Sequence, residues 1–171
     1  RWGMISDALA FLLAARISFS DYLSILQRYR SERPILPPHE VSDQLSLLFS
    51  IMPSEVADVS QQFHISQLKV LETKTDENSL MLRGIVAGRL AMVDDSYAKN
   101  LGSRFLDYEK VEPNMRQAAA VAFARAYGNF EEILRKYRES SSDEEKVRLL
   151  ISMMSFKEPS LVASSLGLAL S

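Results

Sequence analysis

Apolar residues recur along this chain at helical spacing, in segments joined by short polar turns. The clearest segment is Phe130–Glu139, where Phe130, Ile133, Leu134 and Tyr137 fall at i, i+3, i+4 and i+7. On its other face Glu131 with Arg135 and Glu132 with Lys136 stand at the i, i+4 spacing of stabilising ion pairs, which predicts an outer helix with one buried stripe. The preceding stretch, Asn114–Tyr127, is apolar nearly all round (Ala118, Ala119, Ala120, Val121, Ala122, Phe123, Ala124, Ala126) and is expected between neighbours. Gly128 and Asn129 end one helix and cap the next.

The same alternation extends in both directions. Ser142 followed by Glu145 reads as a capping box opening a helix in which Val147, Leu150, Ile151 and Met154 share a face. Glu158-Pro159 stops that helix and opens another. Upstream, Asp76–Val93 turns at Asp94-Asp95 into Ser96–Leu106. Trp2–Ala15 turns at Arg16–Ser18 into a helix carrying Tyr22, Ile25, Leu26 and Tyr29, and Pro38–Met52 and Ser54–Lys74 lie between these pairs. With 6 Gly and 6 Pro placed mostly between these segments and no strand alternation, the prediction is an all-α chain of about ten helices paired as antiparallel hairpins.

A repeat is superimposed on this pattern. Leu82-Arg83, Met115-Arg116 and Val147-Arg148 lie 33 and then 32 residues apart, each near the start of a hairpin's first helix. That period belongs to helical-pair solenoids, so the hairpins are expected to stack into a right-handed, HEAT/armadillo-like superhelix with an extended concave side.

Composition narrows the class. The 171 residues are 47% hydrophobic and 25% charged, as in a globular domain, and 20 Lys plus Arg against 22 Asp plus Glu leave a formal net charge of −2. No global field draws such a chain to nucleic acid or to anionic lipid. The absence of cysteine excludes a disulfide framework, a thiolate nucleophile and Cys-based metal sites, and it accords with a reducing, cytoplasmic compartment. The charge-free stretches Gln44–Ser54 and Pro159–Ser171 are shorter than the roughly 20 residues a spanning helix needs, so no membrane segment is expected. The chain opens on Arg1 and is still apolar at its last residues, so residues 1–171 are read as a single helical-repeat domain cut at both ends from a longer protein. Such a fragment is expected to self-associate through its uncapped apolar end.

Candidate chemistry is sparse. His39-Glu40-Val41-Ser42-Asp43 mimics a zinc-binding HExxH with Asp as second ligand, but it follows Pro37-Pro38 and is read as the acidic first turn of a helix. His64 has no second well-placed His, no Cys and no nucleophile elbow around it, and is read as a half-buried, hydrogen-bonded histidine. Gly84, Gly88 and Ala91 form a small-residue stripe that lets a neighbouring helix approach. The carboxylate pairs Asp94-Asp95, Glu131-Glu132 and Asp143-Glu144-Glu145 stand at helix starts, where caps and dipoles account for them. The sharpest candidates are Arg83, Arg89, Arg116, Arg125 and Arg148. Either they line a common cavity and hold a peptide carboxylate through bidentate hydrogen bonds, or they form a ladder of salt bridges to neighbouring Asp and Glu.

The opening, Arg1-Trp2-Gly3-Met4-Ile5-Ser6-Asp7-Ala8 followed by Ala14-Ala15-Arg16-Ile17-Ser18-Phe19-Ser20-Asp21-Tyr22, resembles the start of the helical C-terminal domain of the gluzincin (aminopeptidase N-like) zinc aminopeptidases. Leu82-Arg83 leading to Arg89-Leu90 and Asp94-Asp95, Met115-Arg116 leading to Tyr127-Gly128-Asn129, and Ser142–Lys146 leading to Phe156-Lys157-Glu158-Pro159 extend the resemblance in order through the chain. Its compact loops look most like the archaeal members that trim peptides released by the tricorn protease. The resemblance implies that zinc and the catalytic glutamate belong to an upstream domain, which this HExxH-free chain does not supply. It also implies that the helical domain closes over the active site and contacts oligopeptide substrates at their far end. Partners on this reading are the catalytic domain of the same chain and a larger protease complex. The alternative from a different class is a free-standing helical-repeat scaffold binding a partner protein on its concave face.

Overall fold

The structure is a computed structural model that describes residues 2–170, for Trp2 only the backbone. Arg1, the Trp2 side chain and Ser171, which the opening motif and the last charge-free stretch included, lie outside the described residues. Among the described residues there are ten α-helices and no strand: α1 (Trp2–Leu13), α2 (Phe19–Gln27), α3 (Leu36–Ile51), α4 (Pro53–Leu71), α5 (Glu77–Val93), α6 (Asp95–Ser103), α7 (Arg116–Tyr127), α8 (Phe130–Glu139), α9 (Asp143–Met153) and α10 (Pro159–Ala169). Short 3-10 segments, Arg104–Lys110 and Pro113–Met115, link α6 to α7. The all-α expectation and the helix count therefore hold.

Local signals fix most boundaries. The Ser18 hydroxyl accepts from the Asp21 amide at 3.1 Å to open α2, and the Asp94 carboxylate accepts from Tyr97 at 2.9 Å to open α6. Gly128, at φ 60°, ends α7, and the Asn129 side chain caps α8 through the Glu132 amide at 3.2 Å. Ala15 ends α1 at φ 53°, with the Arg16 amide donating back to the Phe11 carbonyl at 2.8 Å, a left-handed cap made without glycine. Prolines occupy the first turns of α3, α4 and α10, where a missing amide costs nothing.

The chain forms two compact units, residues 1–89 and 90–171, the boundary falling within α5. In the first, α3 packs on α4 and on α1, and the core holds Ile5, Tyr22, Leu26, Val41, Leu45, Val56 and Phe63. In the second, α7 lies against α6, α8 and α9, as its all-round apolar character requires, with Ala118–Ala120, Ala122 and Phe123 buried. Phe105 stacks on Phe123 at 4.6 Å between centroids, and Ile133, Leu149, Met153 and Phe156 complete that core.

Two expectations need correction. On α9 the buried residues are Leu149, Ser152 and Met153, while Val147 and Ile151 are exposed. The helix is apolar over more than half its circumference, so two overlapping stripes fit the periodicity, and contact with α7 and α8 selects the other one. On α8 the stripe holds, with Ile133 and Leu134 buried, but the ion pairs are exchanged. Arg135 reaches Glu132 and Glu139, both at 2.6 Å, and Lys136 instead lies over the rings of Phe105 and Tyr108.

Candidate functional site

One polar cluster in each unit holds arginines that the sequence singles out. In the first, the Arg89 guanidinium at the end of the unit is ion-paired with Asp43 and donates to the Ser42 hydroxyl at 2.7 Å. Ser42 lies 2.8 Å from Nε2 of His64, and Nδ1 of His64 lies 2.7 Å from the Ser60 carbonyl. A carbonyl only accepts, so Nδ1 carries the proton, Nε2 accepts from the Ser42 hydroxyl, and that hydroxyl oxygen accepts from Arg89. The relay is complete, and every donor in it points the same way.

His64 is fully buried rather than half-buried. Burial pushes its pKa down to about 3, and the positive charge of Arg89 acts in the same direction, against the Ser60 carbonyl. A serine hydroxyl within hydrogen-bond reach of an imidazole suggests a nucleophile and its base. Here both groups have zero exposure, among the described residues the ring's partners are Ser42 and Ser60 and no carboxylate, and Ser42 is already committed on both sides. The pair is structural.

The HExxH-like segment lies inside α3 and not in its first turn, because the helix starts at Leu36. His39 and Asp43 do share a face, with His39 Nδ1 3.1 Å from one Asp43 oxygen, while the other oxygen is ion-paired with the Arg89 cation. Glu40 accepts from the Gln44 amide at 2.7 Å. Among the described residues no three His, Asp or Glu side chains converge as metal ligands, and no helix is long and apolar enough to cross a membrane.

In the second unit Glu145 is the hub. The Ser142 hydroxyl caps α9 by accepting from the Glu145 amide at 3.4 Å, as the sequence predicts. The Glu145 carboxylate does not return to the cap. It accepts from the Tyr108 hydroxyl at 2.7 Å and from Arg116 at 3.3 Å, and it is ion-paired with Arg148, which also reaches Glu144 at 2.8 Å. Burial works to raise the Glu145 pKa, but Tyr108 and the two guanidinium groups outweigh it and the net shift is downward. Tyr108 moves up, mainly through burial and then through the adjoining carboxylate. Arg116 also lies over the Tyr108 ring at 5.6 Å. A polar depression of about 300 Å³ opens beside the cluster, walled by Tyr108, Arg116, Lys136, Glu145 and the Ser140–Ser142 loop.

The five arginines thus have separate settings. Arg89, Arg116 and Arg148 are bonded to carboxylates of this chain. Arg83 sits half-buried on α5, and Arg125, half-buried on α7, keeps a buried Nε without a partner. The Gly84, Gly88 and Ala91 stripe lies on α5, with Gly84 and Ala91 buried, and a close helix approach is set at a further glycine. At Gly102 an added Cβ would stand 2.9 Å from backbone atoms of Ala122 and Phe123, so this glycine sets the spacing of α6 and α7. Tyr108 and Ser42 carried no sequence signal as cluster members, because their partners lie tens of residues away.

A model of the ERAP1-like C-terminal domain matches residues 1–171. The chain belongs to that family. It is 35% identical to a leucyl aminopeptidase of Saccharolobus solfataricus, over all of this chain and 22% of the relative. It is 32% identical to the tricorn protease-interacting factor F2 of Thermoplasma acidophilum, over 90% of this chain and 20% of that protein. It is also 27% identical to the aminopeptidase M1 of Arabidopsis thaliana, over all of this chain and 22% of that one. The chain spans about a fifth of the length of the relatives it matches. The family resemblance read from the ordered helix starts and turns is therefore correct. As an ERAP1-like C-terminal domain, the chain corresponds to a helical C-terminal part of relatives that are aminopeptidases.

Proposed function

We propose that this ERAP1-like C-terminal domain walls off the substrate chamber of a cytoplasmic zinc aminopeptidase and helps to bind oligopeptides while their N-terminal residues are removed. The observation that carries the reading is the match of all of residues 1–171 to a C-terminal-domain family, together with relatives that are aminopeptidases. The side chains here agree with a binding role and not a chemical one. Among the described residues the serines that touch a histidine, Ser42 and Ser60 beside His64, are sealed in a core, and the Tyr108–Glu145 and Ser42–His64 clusters are satisfied internally. Zinc and its ligands belong to the rest of the parent polypeptide on this reading. The likeness to a tricorn-interacting factor supports association with a larger protease complex.

Within the domain, Arg83, Arg89, Arg116, Arg125 and Arg148 are the proposed contacts to the peptide. The isolated 171-residue chain is expected to retain no stoichiometric zinc and to release no amino acid from peptides. Catalytic turnover by the purified chain overturns the reading. In the full-length enzyme, Arg83→Glu and Arg125→Glu should raise KM more for long peptides than for dipeptides. An unchanged length profile leaves these arginines a structural part only.

Self-association belongs to the same reading. Helix α10 carries no charged residue, yet only Ser165 of it is buried, and Leu166 and Leu170 are exposed. Leucines left exposed on an uncharged helix mark a face that is covered in use. Light scattering of the isolated chain should show its mass rising with concentration, and a constant monomer mass would refute this.

A further inference from the structure

The link between α2 and α3, residues 28–35, carries three arginines within six positions, Arg28, Arg30 and Arg33. All three side chains are exposed, and none is ion-paired with a carboxylate among the described residues. Glu32, the one acidic residue of the link, is half-buried. Elsewhere the gathered arginines surround carboxylates: Arg116 and Arg148 flank Glu145, and Arg135 bridges Glu132 and Glu139. The backbone beneath the three free arginines is fixed from inside. Gln67 of α4, 1% exposed, donates its side-chain amide to the carbonyls of Tyr29 at 3.3 Å, Arg30 at 2.8 Å and Glu32 at 3.3 Å. Tyr29 is buried in the core of the first unit, and the Tyr29 and Glu32 amides close turns onto the Leu26 and Tyr29 carbonyls, both at 3.0 Å. A buried amide thus pins a surface turn whose guanidinium groups all stay in water. Like charges this close oppose one another, so the arrangement gains when an anion meets it.

We propose that the Arg28–Arg30–Arg33 turn is a docking surface for a carboxylate-rich segment of a partner protein. It is separate from the arginines assigned to peptide above and does not rest on that function. Each guanidinium fork offers two parallel N–H donors to a carboxylate, and a turn already held in place loses little freedom on engagement. The link contains no lysine, whose compact point charge matches a planar anion less well. Other polyanions fit the cluster poorly. Lipid surfaces are met by clusters of about four to eight basic residues, and this turn has three. Single-stranded nucleic acid is held along a basic track with aromatic rings on which bases stack. Here Tyr29, the aromatic residue of the link, is buried, and the chain as a whole carries a formal net charge of −2.

The probe is a fluorescein-labelled octaglutamate peptide, with octaglutamine under the same label as blank, followed by anisotropy as the purified chain is added at low ionic strength. Two triple variants lose the same charge. In one, Arg28→Gln, Arg30→Gln and Arg33→Gln clear the turn. In the other, Lys69→Gln, Lys99→Gln and Arg138→Gln remove exposed cations scattered over α4, α6 and α8. All six positions are exposed, and far-UV circular dichroism of both variants should superpose on that of the wild type. The docking assignment predicts half-saturation at or below about 1 mM for the wild type. It predicts a loss of roughly tenfold or more for the cleared turn and less than about twofold for the scattered set. Equal losses in the two variants overturn the assignment, because binding then follows overall charge. An octaglutamate anisotropy that stays flat up to about 1 mM chain overturns it as well. A single-stranded oligothymidylate of matching charge that binds more tightly than octaglutamate, or turn-dependent capture by phosphatidylserine vesicles, reassigns the turn to nucleic acid or to lipid and likewise overturns the proposal.

Discussion

Between pH 6.5 and pH 5 the chain should lose stability steeply, and His64→Gln should remove most of that loss. In the folded protein the His64 pKa lies at about 3, against 6.5 for a free imidazole, because burial and the neighbouring Arg89 both oppose a second positive charge. The unfolded chain therefore binds more protons than the folded one throughout the interval between these values. The stability from keeping His64 neutral is fully present above pH 6.5 and is lost as pH falls toward 3. The slope approaches 1.4 kcal/mol per pH unit, and the whole loss is on the order of 5 kcal/mol. Glutamine at position 64 can still accept from Ser42 but cannot titrate, so urea unfolding at pH 7, 6 and 5 should give nearly constant stability for the variant. A wild-type protein equally stable at pH 7 and pH 5 would mean that the imidazole is not sealed as described.

The second large effect is expected at Gly102. In most helices Gly→Ala stabilises by about 1 kcal/mol, since alanine loses less backbone freedom on folding. At Gly102 the new methyl group meets three backbone atoms of Ala122 and Phe123 at 2.9 Å, and backbone within α7 cannot rotate aside. Parting α6 from α7 costs about 1–3 kcal/mol, more than the propensity gain over most of that range, so Gly102→Ala should lower stability by up to about 2 kcal/mol net. Gly167→Ala supplies the contrast. Nothing lies within 4 Å of its added Cβ, so it should be neutral or stabilising by up to about 1 kcal/mol. Urea midpoints of the two variants should move in opposite directions. Two shifts of the same sign would show that α6 and α7 are not held at the spacing Gly102 sets.

Much of the fold is written locally. Ser18, Asp94, Asn129 and Ser142 act as caps within three residues of their partners, and Gly128 ends α7 through its own backbone geometry. Each is a short-range interaction, visible wherever the residue type and spacing are visible. The same is true of the buried stripe of α8 and the all-round burial of α7, because a helix of known period presents known faces. On α9 the period alone was ambiguous, and the neighbours chose Leu149 and Met153 over Val147 and Ile151.

The polar clusters follow the opposite rule. Glu145 stands where a capping box needs it, yet its carboxylate serves Tyr108 and Arg116, 37 and 29 residues earlier in the chain. His64 carried no sign of full burial until α3 and α5 brought Ser42 and Arg89 to it. Helix number, caps and family were determined by the sequence itself, because short-range geometry repeats in every protein that uses it. Which arginines are spent on internal carboxylates, which apolar stripe is buried on α9, and which glycine spaces two helices were decided only by the tertiary structure. A side chain's partner depends on which element folds against it, and that contact energy belongs to the pair and not to either residue.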